Sequence, residues 1–313
     1  MADPTAVPDT REGLARDRQR IPVPGGVLAI TTLRPSDQAL AVVVINCAMS
    51  VRQAFYRPFA QFLASRGYVV ITWDYRGVGE SVLEAREAQR VALEHWAVDD
   101  FELVLSASAT AAPGLPVFVI GHSFGGQIIA LPASRGRICG AMLIACPSGY
   151  VGHWRGRPKG AFMWSLAHVG LPVLTRVFGF FPAAKLRLGA DLPFRVALEW
   201  GGWLRHPLYI ASSEARASRI ASFKVHIRAL SISDDDLAPP NAVAAMLALY
   251  SGASVTAEVI SPSAYGLDTI GHMGFFRARP ADTLWKKAAA GLESLMSATS
   301  VVGTPAVLND LRP

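Results

Sequence analysis

The sequence predicts an α/β fold: a mostly parallel central sheet flanked by helices, with a helical insertion after the sixth strand. Short runs rich in β-branched residues alternate with amphipathic helical stretches along most of the chain. Several runs, such as ALAVVVIN (39–46), are apolar throughout, as expected of strands buried on both faces. The alternation stops at 147 and resumes at 224, which marks the insertion.

Residues 1–19 read as a polar N-terminal tail, and GVLAITTLRP (25–34) as an early strand. After ALAVVVIN comes an amphipathic helix, FYRPFAQFLASRG (55–67), with Gly67 as its stop signal. YVVITWD (68–74) is the next strand, 92–108 is helical in pattern, and PVFVIG (116–121) is another buried strand. A helix is expected from about Phe124 to Ser134, then the strand ICGAMLIAC (138–146). Residues 147–222 are rich in Pro, Gly, Trp and Arg. Their apolar stretch 161–184 is broken by His168, Pro172 and Arg176, so it predicts a helix pair rather than a membrane span. KVHIRALSIS (224–233), helix NAVAAMLALYSG (241–252), strand SVTAEVI (254–260) and helix 281–298 complete the pattern. The core is thus 20–146 plus 223–298, the insertion 147–222, and 299–313 a C-terminal tail.

The chain has 313 residues, 51% of them hydrophobic and 17% charged, which excludes a disordered chain. Three cysteines (Cys47, Cys139, Cys146) are too few and too odd for a disulfide scaffold, and the first twenty residues carry no apolar core. Both features predict a reducing, cytoplasmic location. Neither the cysteines nor the seven histidines show metal-ligand spacing, so no metal is expected. The net charge of +6 is unevenly placed: residues 150–222 hold 10 basic and 3 acidic side chains, while the rest of the chain is near balance. The same segment holds Trp154, Trp164, Trp200 and Trp203. Such a surface attracts an anionic substrate, a coenzyme phosphate or an acidic membrane face, and it reads equally as a solvated face over core tryptophans. No nucleic-acid recognition motif accompanies it.

The strongest local signal is Gly121-His122-Ser123-Phe124-Gly125, followed by Gly126. It has the form G-x-S-x-G and lies where a buried strand turns into a helix, the context of a nucleophile elbow. There the serine hydroxyl projects at the carboxyl end of the sheet, above a helix N-terminus that favours developing negative charge. A serine nucleophile needs a base, and the base needs an orienting acid. Asp234, Asp235 and Asp236 follow the strand ending at Ser233, and His272 lies beyond the next strand. The order and positions suit Ser123 as nucleophile, His272 as general acid/base and one of the aspartates as its partner. Helix capping before Ala238-Pro239-Pro240 also accounts for some of the aspartates. An oxyanion hole would take one N–H from Phe124 and another from the loop Asn46-Cys47-Ala48-Met49-Ser50.

These residues give the chain its resemblance to the α/β-hydrolases. It rests on Asp74-Tyr75-Arg76-Gly77-Val78-Gly79-Glu80-Ser81 after a strand, on GHSFGG (121–126), and on the aspartate-then-histidine order near the C-terminus. Within that superfamily the chain resembles the serine aminopeptidase/monoglyceride-lipase-like branch, and more narrowly a group of bacterial predicted hydrolases of undefined substrate. The resemblance covers about residues 20–298 and implies the α/β-hydrolase fold, with 147–222 as a helical lid. It matches Ser123 to the nucleophile and His272 to the base. A D-x-aliphatic-x-P register, met here by Asp235-Asp236-Leu237-Ala238-Pro239, favours Asp235 as the acid over Asp234. Register also points to the Ala48 N–H as the second oxyanion donor, although many relatives have His-Gly where this chain has Asn46-Cys47. Cys47, His122 and Gln127 read as packing, and Asp74 and Arg76 as structural, with Arg76 tying the turn to neighbouring backbone.

The reading that follows is a serine hydrolase acting on an ester or thioester of a hydrophobic acyl group, with no cofactor. Phe162, Trp164, Leu171, Phe178, Phe180 and Phe181 are candidate pocket residues in the lid. Trp164, Phe178 and Trp203 are the expected substrate contacts. The expected partner is a small acyl substrate, not nucleic acid, with membrane-surface contact through the basic lid left open. The alternatives are an acyltransferase using the same triad, an aminopeptidase-like hydrolase, and a non-catalytic binding protein on this fold.

Overall fold

A computed structural model of the chain describes residues 14–279 and 281–302. Its strands are β1 (Ala15–Val23), β2 (Gly26–Arg34), β3 (Ala41–Asn46), β4 (Tyr68–Trp73), β5 (Val117–His122), β6 (Ile138–Ile144), β7 (Phe180–Phe181), β8 (Leu192–Pro193), β9 (His226–Ile232) and β10 (Ser254–Ile260). Eight of them form one sheet in the order β1-β2-β4-β3-β5-β6-β9-β10, and β7 pairs with β8 apart from it. From β4 to β10 the sheet is parallel; only β2 runs against its neighbours. Every residue of β3, β4 and β5 is buried, which is why these strands read as unbroken apolar runs.

Right-handed crossovers place the covering helices. After β3 the chain passes through the helix Arg57–Ala64 to β4 on one side. After β4 it passes through the helix Phe101–Ala111 to β5 on the other. The two helices therefore lie on opposite faces. Trp285, at the start of the C-terminal helix, packs on Phe59 and Phe62 and joins that helix to the first face. Strand order reverses between β3 and β5, so the loops after these two strands part and leave a crevice at the carboxyl edge. Ala48 and Ser123 sit on those two loops.

Four elements differ from the sequence expectation. β1 starts at Ala15, inside the expected polar tail, and pairs with β2 along its whole length. It is an edge strand with mostly exposed side chains, so it carries little hydrophobic signal. The final helix runs Lys286–Val302, past the expected limit at 298; the rest of the expected C-terminal tail lies outside the described residues. The helix after Ser123 spans only Phe124–Gln127. The Tyr250 hydroxyl takes the carbonyls of Gly126 and Gln127 at 2.9 and 3.3 Å where the helix ends, and Pro132 has no N–H to offer the Ile128 carbonyl beyond it.

The fourth difference lies between β6 and β9. Instead of a helix pair over 161–184, one unbroken helical run extends from Gly160 to Phe178. It widens to π-type turns across Leu166–Leu174, which accommodate Pro172 without its N–H. The hairpin β7–β8 and the helices Phe194–Arg205 and Glu214–Ala221 complete this insertion.

Candidate active site

Ser123 follows β5 and precedes its short helix, at φ 51° and ψ −119°, a backbone conformation rarely held by a residue with a side chain. Close packing on both sides imposes it. A Cβ on Gly121 would lie 2.3 Å from the Gly126 Cα, and one on Gly125 would lie 2.2 Å from the Asn46 carbonyl oxygen. The helix backbone thus rests directly on the end of β5 and on the loop after β3. Asn46 secures that contact: its Nδ2 donates to the Gly125 carbonyl at 3.2 Å, and its Oδ1 accepts the Trp73 indole N–H at 2.9 Å. Cys47 beside it is fully buried, its thiol donating to the Trp73 carbonyl, and burial pushes its pKa up. It is a packing residue with no thiolate to offer.

The loop after β9 carries the aspartates. Asp235 Oδ2 lies 2.7 Å from His272 Nδ1, and Asp235 Oδ1 accepts the N–H groups of Leu237 and Ala238 at 2.8 and 3.0 Å. One carboxylate therefore orients the imidazole while its own turn holds it. Asp234 faces elsewhere. It accepts the Thr269 hydroxyl at 2.7 Å and the N–H groups of Ile270 and Gly271 at 3.0 Å each, fastening the loop that leads into His272. Partial burial pushes its carboxyl up, but those hydrogen bonds outweigh burial and hold it below the ordinary carboxylate value. Asp236 contributes its carbonyl, which accepts the Trp154 indole N–H at 2.7 Å.

His122, read from sequence as packing, proves to be the link between the two loops. Its Nε2 lies 2.9 Å from the His272 carbonyl oxygen, which can only accept, so Nε2 carries the proton. Nδ1 is then an acceptor and takes the Tyr56 hydroxyl at 2.7 Å. The Tyr56 oxygen in turn accepts the Ala48 N–H at 2.9 Å. Burial, then the neighbouring His272, drive the His122 pKa well down, and burial drives the Tyr56 phenol up. Both stay neutral, so the relay has one direction throughout. Tyr56 has no local pattern that would mark it from sequence.

This relay corrects one expectation. The Ala48 N–H is committed to Tyr56 rather than open to substrate. Among the described residues the N–H groups of Phe124 and Met49 have no acceptor. Nor does the Ser123 hydroxyl bond the His272 imidazole; His272 reaches the elbow through the serine's neighbour, with its ring centroid 5.0 Å from that of His122.

The expected substrate contacts fall in different places. Trp203 is 9% exposed and packs edge-on to Tyr209 beneath the Arg216 guanidinium, so it belongs to the core of the insertion. Trp164 and Phe178 are 55% and 46% exposed on the outer face of the long helix, Trp164 stacked on His168. Among the described residues no hydrogen bond or ring contact joins any of the three to Ser123 or His272. The insertion nevertheless grips the site. Gly189 lies so close to the loop after β3 that a Cβ would sit 2.5 Å from the Ser50 carbonyl, and the Ala190 N–H donates to that carbonyl at 2.7 Å. The Tyr209 hydroxyl donates to Gln127 Oε1 at 3.0 Å.

The segment from Asp74 to Ser81 is a brace. The Asp74 carboxylate accepts the N–H groups of Gln53 and Glu80 at 2.7 and 2.9 Å. Arg76 pairs with the buried carboxylate of Asp100 rather than with neighbouring backbone, as the sequence had suggested. Burial pushes Asp100 up to about 7, even with the Arg76 charge pulling it down.

Strand order and the turn at Ser123 define the α/β-hydrolase fold. Residues 37–176, less than half of the chain, match the model of the serine aminopeptidase S33 family. Human monoglyceride lipase is 28% identical over 116 residues, a match spanning 36% of this chain and 37% of that protein. A soluble variant of monoglyceride lipase from Saccharomyces cerevisiae superposes with a TM-score of 0.67 at 14% identity, over 94% of this chain and 98% of the other. A thermostable carboxyl esterase from Bacillus coagulans superposes with a TM-score of 0.63 at 13% identity, over 90% and 99%.

Proposed function

We propose that this chain is a serine hydrolase that cleaves a carboxylic ester or thioester of a hydrophobic acyl group through an acyl-enzyme. The observation that carries the reading is the 2.7 Å Asp235–His272 contact held beside the strained Ser123. His272 Nε2 takes the Ser123 proton as Oγ bonds to the acyl carbon. The tetrahedral oxyanion accepts the N–H groups of Phe124 and, from the loop after β3, Met49. As the intermediate collapses, His272 gives the proton to the departing alcohol or thiol, and the acyl group stays on Ser123. Water, deprotonated by His272, then releases the acid. Asp235 keeps the imidazole in the tautomer that has Nε2 free.

The kinship with a human lipase and the fold shared with a carboxyl esterase support ester chemistry. An aminopeptidase would need an acidic cluster for the substrate's free amino group. Of the three carboxylates in the insertion, Asp191 takes the Ala184 N–H, Glu199 takes Arg195 and the Leu93 N–H, and Glu214 is exposed alone in the first turn of its helix, so no acidic cluster is present. The test is covalent labelling with a fluorophosphonate, read by intact mass, on the unaltered chain and on Ser123→Ala. Labelling of the unaltered chain alone is expected; equal labelling of both would place the nucleophile elsewhere.

A further inference from the structure

The helix from Gly160 to Phe178 is largely apolar, with Ser165, His168 and Arg176 its exposed polar side chains. Arg176 is its one charged residue, and mean hydropathy reaches 1.3 over 18 of its 19 residues. A helix of that kind is ordinarily enclosed. Here only the stripe Met163, Ala167, Leu171 and Thr175, spaced four apart, is buried, with Leu166 and Leu174 packed partly against the core beside it. On the other side Phe162, Trp164, Val169, Val173, Val177 and Phe178 are 43% to 69% exposed. The helix cannot cross a bilayer, because both ends are tied to the same body. Trp154 and Arg157 bond the loop and helix after β9, and the Gly179 carbonyl accepts the Gln89 side chain at 2.8 Å. It lies flat on the surface.

Charge says what covers it. From 155 to 187 the chain carries Arg155, Arg157, Lys159, Arg176, Lys185 and Arg187 and no carboxylate. The Lys185 ammonium sits 5.5 Å from the Phe178 ring centroid, so its stem extends over apolar surface while its charge stays at the rim. We propose that this face docks on an anionic lipid bilayer, with the helix in the interfacial plane, its apolar side chains among the acyl chains and the cations at the headgroups. A second copy of the chain is a poor occupant, since a two-fold contact would set one cationic rim against the other. The inference rests on the hydrolase reading only for what the surface delivers: an acyl substrate drawn from the bilayer.

The experiment is co-sedimentation of full-length Ser123→Ala protein with vesicles of phosphatidylcholine, alone or mixed with phosphatidylglycerol. Retention on the mixed vesicles is expected to exceed that on the neutral ones by at least about tenfold and to fall with added salt. Val173→Asp with Val177→Asp should weaken it by about tenfold or more. In the Ser123 background the same pair should leave turnover of a water-soluble short-chain ester unchanged, which certifies the fold. Equal retention on both vesicles, retention on neither, or a dimer abolished by the valine substitutions would overturn the proposal. Loss of ester turnover in the unaltered chain would instead sink the hydrolase reading and leave the vesicle result standing.

Discussion

The Tyr56 hydroxyl donates to His122 Nδ1 at 2.7 Å and at the same oxygen accepts the Ala48 N–H. One phenol therefore couples the loop after β3 to the residue before Ser123 and, through His122, to the backbone of His272. Tyr56→Phe keeps the packing and removes both bonds. It leaves two buried polar groups unpaired, at about 1–3 kcal/mol each. Loosening both loops should lower kcat about ten- to a hundredfold with KM little changed. Steady-state kinetics and a denaturant midpoint separate the effects: a lowered midpoint with unchanged kcat would reduce Tyr56 to packing.

Asp235→Asn should reverse the hydrogen-bond demand at His272 Nδ1 and lower kcat by about four orders of magnitude with little change in KM. Asp234→Asn spares that contact. It weakens the three bonds to Thr269, Ile270 and Gly271, so it should cost about 1–3 kcal/mol of stability and far less in kcat. Equal losses of kcat in the two variants would show that the neighbours had been misassigned.

His122 is fully buried and its pKa is depressed. In the unfolded chain it titrates near the usual value of about 6.5. The unfolded state thus binds the extra proton first, and stability falls as pH drops from about 6.5 toward the depressed folded value. The slope from this one group is at most about 1.4 kcal/mol per pH unit. Chemical denaturation of the unaltered chain and of His122→Gln at pH 7 and pH 5 measures it: the variant should lose less on acidification.

Asp100 is enclosed with the Arg76 guanidinium almost wholly buried against it. Asp100→Ala strands that guanidinium and should destabilise the fold by about 3–5 kcal/mol, whereas replacing both with apolar residues of similar volume should recover most of the loss. A double-mutant cycle in urea measures the difference. Additive losses would mean that the pair is not a unit.

What could be read from sequence was what local pattern encodes. β3, β4 and β5 are buried on both faces, so their composition declares them, and the strand-to-helix step around Ser123 is a local feature. β1 sits at the sheet edge with its side chains in water and reads as a tail. The contact that occupies Ala48 comes from a tyrosine on the following helical turn and closes only when the chain folds over β5. Neighbouring aspartates share one composition, and only the path of the loop to His272 separates their roles. Trp203 and Trp164 have the same chemistry and comparable settings in sequence, yet one is enclosed and the other faces solvent. Which side of a largely apolar helix is enclosed is a property of its neighbours.

Gly189 and Ala190 carry a last consequence. The insertion touches the loop after β3 through backbone, with a glycine where no other residue fits and the Ala190 N–H on the Ser50 carbonyl. Exchanging insertions between relatives is a direct way to redesign what such a scaffold accepts. In this chain the graft boundary matters: a transplanted segment lacking those two residues would unfasten Ser50 and, with it, the turn that presents Met49. A chimera must carry that two-residue contact across intact.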